Sequence, residues 1–561
     1  MPDVPAAASA WLDSFFASYY RHRPVNATFI GVHDHDARLP DFSEAGAGDA
    51  LADAESLLAS SAALDLALLP RPLALDIRLA RGFLEAQRWE LTGRHFHRGN
   101  PSLYTGEAAF GVMSLFLGHG GALDARVDAA RQRLEAIAAL LAQSREHVRE
   151  APPDWTTRAV RECTGILALL DDAGELPGAD QALVQAAGRA RAAVAEHQAW
   201  LETDLLAHPV TDVAAGEEAL DLYLRKAHFL DDGPDAIVAY AEAQMAEADA
   251  WTREHASDFG AETPEQALAG LADLHPSLED YLGRYQATWD AVHALNDEHG
   301  LVTWPDFPIR YVPRPFWSRR AAPHLYFLFY RSPAAFNRPP IHDYLVTPIA
   351  GDLSPDDQRA LLRAHNDSVI KLNHVVHHGG IGHHVQNWNA FRAESRIGRI
   401  AAVDCASRIA MSCGGTMAEG WACYATDLVA EFGGLTPLEA YAERHGRIRM
   451  AARAVVDIQL HRGRMTLDEA AAYYVSRAGM SEAAARGEAV KNSMFPGGAV
   501  MYLLGTDTIH ELRREMAAIE GAAFDLRRFH DTFLSYGSVP VALVAGDMRR
   551  NASERATTDA Q

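Results

Sequence analysis

Cysteine is scarce in this 561-residue chain: Cys163, Cys405, Cys413 and Cys423 are the only four, and no two form a C-x-x-C pair. So few over such a length exclude a disulfide scaffold. Long apolar runs are also missing, and no stretch approaches the roughly 20 apolar residues that a membrane-spanning helix needs. The opening MPDVPAAASAWLDSFFASYYRHRP has no basic segment followed by an unbroken apolar one, so it does not read as a signal peptide, and the cytoplasm is the expected location. Positive charge is in deficit, with 51 Lys and Arg against 75 Asp and Glu for a net charge of −24. That balance argues against nucleic acid or an anionic membrane as partner, since both favour a basic face. No glycine-rich phosphate loop or G-x-S-x-G elbow occurs, and Cys413-Gly414-Gly415 is too short to be a nucleotide motif.

What is present is ordinary globular sequence, 48% hydrophobic and 22% charged. The length exceeds what one hydrophobic core usually serves, so two or more subdomains are expected. Helical periodicity runs almost throughout, for example over 121–206, where apolar stripes alternate with charge. Ser354-Pro355-Asp356-Asp357 is a helix start, and Thr436 to Glu439 and Thr466 to Glu469 read as capping boxes. Residues 301–347 break the pattern with proline, aromatics and β-branched residues, which predicts a few short strands and ordered loops. The expected architecture is mainly α, with a helical part over 1–300, a strand and loop region over 301–350 lying on a deep central cleft, a helical part over 351–550 and a frayed tail over 551–561.

The densest chemistry lies at 374–384, HVVHHGGIGHH, where five of the 26 histidines fall within eleven residues. Neutral imidazole is the commonest protein ligand for zinc, copper, iron and nickel, so the cluster reads as a metal site. A single helix over 355–378 is expected to lead into it. His374 and His378 are four apart and share a helix face, whereas His377 and His384 align only if the helix continues. Gly379, Gly380 and Gly382 make a regular helix doubtful there and allow a bulge or a close backbone approach. About 35 residues on, Glu419 opens a second helix and supplies the natural carboxylate for a two-histidine, one-glutamate zinc site.

These residues, with others along nearly the whole chain, resemble the bacterial family called "domain of unknown function 885". The resemblance is carried by FASYYRHRPVNATFIGVHDHDARLP over 16–40, by Tyr311-Val312-Pro313 with Ala322-Pro323, by Pro496-Gly497-Gly498-Ala499 with Tyr502 and Gly505, and by FDLRRFHD over 524–531 with GSVP over 537–540. The resemblance implies a fold like the all-helical, gluzincin-like zinc metallopeptidases. The family's motif H-E-x-x-P-G-H-H, followed by E-G-W-A-x-Y, maps onto His377, Gly382, His383, His384 and Glu419. His378 stands in place of the motif glutamate and Ile381 in place of the proline.

On this reading His377, His383 or His384, and Glu419 are metal ligands, with zinc expected and iron or copper as alternatives. The missing glutamate is the residue expected to act as general base. Three roles stay open for His378: proton acceptor, further metal ligand, or mark of an inactive site. The expected function is therefore a zinc-dependent, peptidase-like hydrolase of a peptide or amide-like small substrate. The alternatives are a non-hydrolytic redox or lyase metalloenzyme and a metal-dependent binding protein.

Tyr502 is the candidate to steady an oxyanion. His374, Gln386, Arg453 and His461 are candidates to brace the ligands or bind substrate. Asn373 and Asn389 could orient imidazoles, and Arg449 with Arg453 could take a substrate carboxylate, with a structural ion pair as the competing use. His530 is expected in a structural network, and Cys413 and Cys423 lack a ligand spacing.

Overall fold

In the computed structural model, which describes residues 4–325, 331–405 and 409–559, helices begin where the capping residues stand. Thr436 and Thr466 each accept the backbone N–H three residues on, and Glu439 and Glu469 reach back to complete both capping boxes. Ser354 caps its helix by accepting from the N–H of Asp357. The striped stretch 121–206 forms the helices Leu123–His147, Pro153–Asp171 and Gln181–Thr203. The protein is mainly α, with 69% helix and 3% strand. Among the described residues, strand is confined to β1 (Ile309–Pro313) and β2 (His342–Val346), both inside the stretch that leaves the helical pattern. The last helix runs Val541–Asp559, so helix continues into the tail expected to fray. No described helix is long and apolar enough to cross a membrane, and no disulfide joins the four cysteines.

By contact the chain forms two units, each assembled from three stretches. The first comprises Met1–Ala215, Arg314–Leu345 and Ser395–Ser412. In it α1 (Val4–His22) buries Trp11, Phe15, Phe16 and Tyr19, and α2 (Pro24–Ile30) is buried along its whole length. Arg133, on α3 (Leu123–His147), is fully buried and ties these parts together by donating to the Gly111 carbonyl and to Thr28 Oγ1.

The second unit comprises Gly216–Pro313, Val346–Glu394 and Cys413–Gln561. Its elements around the histidines are α4 (Tyr281–His299), α5 (Pro355–Ala364), α6 (His383–Ala390), α7 (Gly415–Glu431), α8 (Pro437–His461), α9 (Glu482–Met494) and α10 (Val500–Glu520). The single helix expected over 355–378 is not what forms. α5 stops at His365, and Asn366 starts a new turn by accepting the N–H of Val369, which is the ordinary behaviour of an asparagine N-cap. From Ile370 to Gly379 the chain winds as a π-helix, a wide form that is rare and concentrated at functional sites.

One contact between two glycines fixes the frame. A Cβ on Gly420 of α7 would lie 2.6 Å from the Cα and carbonyl carbon of Gly505 on α10, so the two helices touch backbone to backbone. Because neither contact atom is a flexible side chain, Gly420→Ala is expected to cost about 1–3 kcal/mol, read by urea unfolding. An unchanged midpoint would contradict this packing.

Candidate metal centre

The π-helix and the first turn of α6 deliver histidines to the carboxylate at the start of α7. His377 Nε2 lies 3.4 Å and His383 Nε2 3.8 Å from the same oxygen, Glu419 Oε2. One donor atom from each of His377, His378 and His383 lies within 4.8 Å of the other two. A tetrahedral zinc with bonds of roughly 2.0–2.2 Å needs donor atoms about 3.3–3.6 Å apart. The His377 spacing meets this range, the His383 spacing of 3.8 Å lies just beyond it, and the nitrogen-and-oxygen donor set is one that zinc takes.

The glycine segment between the histidines is clamped at both ends. Trp289 of α4 donates its indole N–H to the Gly379 carbonyl at 3.0 Å, and Trp421 of α7 donates to the Ile381 carbonyl at 2.8 Å. Gly382 gives its N–H to Val376, and a Cβ there would stand 2.0 Å from the His377 carbonyl oxygen. Only glycine permits this close approach, which carries the chain from one ligand candidate to the next.

Charge states suit a metal. Burial pushes the His383 imidazolium down to about 4 against the pull of Glu419, so the ring is neutral near pH 7 with a lone pair to offer. Burial would raise the Glu419 carboxyl, yet the hydrogen bond from His377 and the charges of His383 and Lys491 bring it down to about 2. His378 is held well below the usual histidine range by burial and by its histidine neighbours. Its Nδ1–H donates to the Asn373 carbonyl at 2.5 Å, which fixes the tautomer and leaves Nε2 as the lone-pair nitrogen.

The other predicted residues separate clearly. His384 is turned away: its Nε2–H donates to the Phe307 carbonyl at 2.8 Å and its ring stacks on Phe307. Successive helical residues point about 100° apart, so His383 and His384 cannot both face Glu419. His374 packs against Tyr285 and His365 and is not among the grouped donors. Gln386 donates to Ser538 Oγ at 2.8 Å and Asn389 to the Val385 carbonyl, so these amide N–H groups are spent away from the imidazoles of the cluster. Arg453 forms a two-pronged ion pair with Glu488 at 2.8 and 3.1 Å. His530 lies in the network expected of it, donating from Nδ1 to the Leu301 carbonyl and accepting the Tyr424 hydroxyl at Nε2.

His461 is fully buried, donates from Nε2 to the Asn492 carbonyl, and lies 3.6 Å from Asp457. Asp457 is the residue the sequence did not single out. Its carboxylate accepts the N–H groups of Gly497, Ala499 and Val500 at 3.0, 2.6 and 3.3 Å, which sets the start of α10 and thereby Tyr502. Burial pushes this carboxyl up to about 7 although the three N–H groups oppose the shift. Asp457→Ala would leave three buried donors without an acceptor and is expected to cost more than about 3 kcal/mol in urea unfolding. A loss below about 1 kcal/mol would remove Asp457 from this role.

A second group, in the first unit, is closed by its own hydrogen bonds. His33 Nδ1 and His119 Nε2 both donate to Asp36 Oδ2, at 2.9 and 2.8 Å. His119 Nδ1 accepts the Gly121 N–H, so the ring is neutral with its proton on Nε2, the nitrogen a metal would need.

The fold and the site thus define a mainly α-helical protein whose second unit gathers three histidines, two of them within 3.8 Å of one glutamate oxygen. The chain belongs to the bacterial family of proteins of unknown function DUF885, whose sequence pattern matches residues 24–548. Two solved structures share the fold. One is a candidate lipoprotein of unknown function from Shewanella oneidensis, with TM-score 0.75 and 21% identity, covering 96% of this chain and 99% of its own. The other is a candidate lipoprotein from Colwellia psychrerythraea, with TM-score 0.75 and 16% identity, covering 98% of both chains. Among curated proteins there is no significant match.

Proposed function

We propose that the protein is a metal-dependent hydrolase of a peptide or amide-like small substrate, with a gluzincin-like architecture and zinc held by His377, His383 and Glu419. The observation that carries this reading is the convergence of two histidine nitrogens on one carboxylate oxygen at 3.4 and 3.8 Å. Bound there, zinc would supply a Lewis acid and an acidified water.

The chain's own residues divide the remaining work. His378, with Nδ1 committed to Asn373, offers Nε2 as the atom that takes a proton from the attacking water. Tyr502 is the proposed donor to the developing oxyanion. Its ring is covered by the Arg453 guanidinium at 4.5 Å, with the Lys491 ammonium 5.8 Å from its centre, which holds it in place. His374 and His461 support the site from outside, through Tyr285 and His365 and through Asp457.

One observation favours a second reading. His378 shares the donor group with His377 and His383, so a three-histidine centre suited to iron or copper and to non-hydrolytic chemistry also fits the spacing. A metal-dependent binding protein is the third outcome. Cleavage of a peptide library by the metal-loaded chain tests the first reading. Hydrolysis lost on chelation and restored by zinc supports it, and absence of hydrolysis in zinc-loaded protein contradicts it.

A further inference from the structure

Arg449 and Arg453 stand one turn apart on α8, and the structure uses them differently. Arg453 is spent on Glu488 and on the Tyr502 ring. Glu488 also holds the Lys491 ammonium at 2.7 Å, so one carboxylate already serves two cations. Arg449 is exposed, and among the described residues its guanidinium makes no hydrogen bond or ion pair, although Glu488 and Glu443 lie within its electrostatic reach. Glu443 is engaged by Thr426 Oγ1 at 2.6 Å.

The result is a row of three cations in a chain of net charge −24: Glu488 pairs with Arg453 and Lys491, and Arg449 is left beside them without an ion pair among the described residues. The helix α8, which carries both arginines, is tied to α7 of the candidate metal centre where Glu443 accepts the Thr426 hydroxyl at 2.6 Å. Lys491 acts on Glu419, and both arginines act on Cys423, one turn beyond Glu419 on α7. α7 is in turn fixed against α10, which carries Tyr502, by the Gly420 and Gly505 contact.

We infer that Arg449 is the anchor for a carboxylate of the substrate, taken through the open fork of its guanidinium beside the histidine cluster. A guanidinium matches a carboxylate with two parallel N–H···O bonds, and an exposed one can do so without first breaking an internal pair. The inference rests on the hydrolase reading for what lies next to the anchor, but its test does not depend on metal.

The full chain, zinc-loaded and metal-free, is titrated calorimetrically with N-acetyl-Ala-Ala and with its C-terminal amide. The free acid is expected to bind about tenfold tighter or better, equivalent to roughly 1.4 kcal/mol or more. Arg449→Gln is expected to abolish that preference and Arg449→Lys to keep part of it. An amidated peptide ending in glutamate separates the sources. Binding as tight as the free acid assigns the anchor to a side-chain carboxylate, and binding as weak as the amide assigns it to a chain terminus. Equal binding of acid and amide, no binding of any probe, or a preference that survives Arg449→Gln overturns the inference. If zinc fails to bind at all, the hydrolase reading falls while the acid preference of the metal-free chain still decides the role of Arg449.

Discussion

Changing His377 to alanine is expected to weaken zinc binding by about a hundredfold or more, since even residues that only orient ligands cost 10–100-fold in affinity. The side chain is partly exposed at 16%, so alanine should leave the fold intact. Of the three proposed ligands Glu419 and His383 then remain, 3.8 Å apart, one donor short of the set. His384→Ala gives the opposite pattern: loss of the buried bond to Phe307 lowers stability while zinc affinity stays within a few-fold. Chelator competition reads affinity and circular dichroism reads the fold. If His384→Ala loses zinc and His377→Ala keeps it, the ligand assignment is reversed.

Removing the proton acceptor with His378→Ala is expected to lower peptide hydrolysis by about 10²–10⁴-fold, the contribution of a well-placed general base, whereas restoring a carboxylate with His378→Glu is expected to keep it. The position permits the exchange. His378 is half-buried, and its Nδ1–H bonds the carbonyl of Asn373, an exposed residue where water can replace the donor. A glutamate variant that hydrolyses peptides when the natural chain does not would mean that this chain left peptide hydrolysis by that single change. Equal activity in both would mean that Nε2 of His378 already does the carboxylate's work. Loss of activity in the glutamate variant would make His378 a ligand and favour the three-histidine reading.

The parts of this molecule that local sequence controls were readable before the structure. Capping at Ser354, Thr436 and Thr466 depends only on side chains reaching their own backbone, and all three occur as expected. The density of histidine at 374–384 and the E-G-W step at Glu419 marked the residues that meet at the candidate centre, His377 and His383 with Glu419. The choice between His383 and His384 was not readable, since it depends on the turn of α6 relative to Phe307, 77 positions away. The π-helix was hidden as well: its apolar stripe reads as α, and the departure is settled by the Asn366 cap and by tryptophans from α4 and α7 that hold Gly379 and Ile381. Asp457 left one local trace, its spacing of four from His461, but its three N–H partners come from a loop 40 positions on. Glu443 left no trace, because its proximity to His377 exists only in the packed unit.

The central claim is that His377, His383 and Glu419 hold one metal ion. Elemental analysis of the purified chain, followed by zinc titration after chelation, tests it most directly. The account predicts one zinc per chain, lost with His377→Ala and Glu419→Gln and retained with His384→Ala. A folded chain that carries no metal and takes up none, or whose zinc is indifferent to His377 and Glu419, would contradict it.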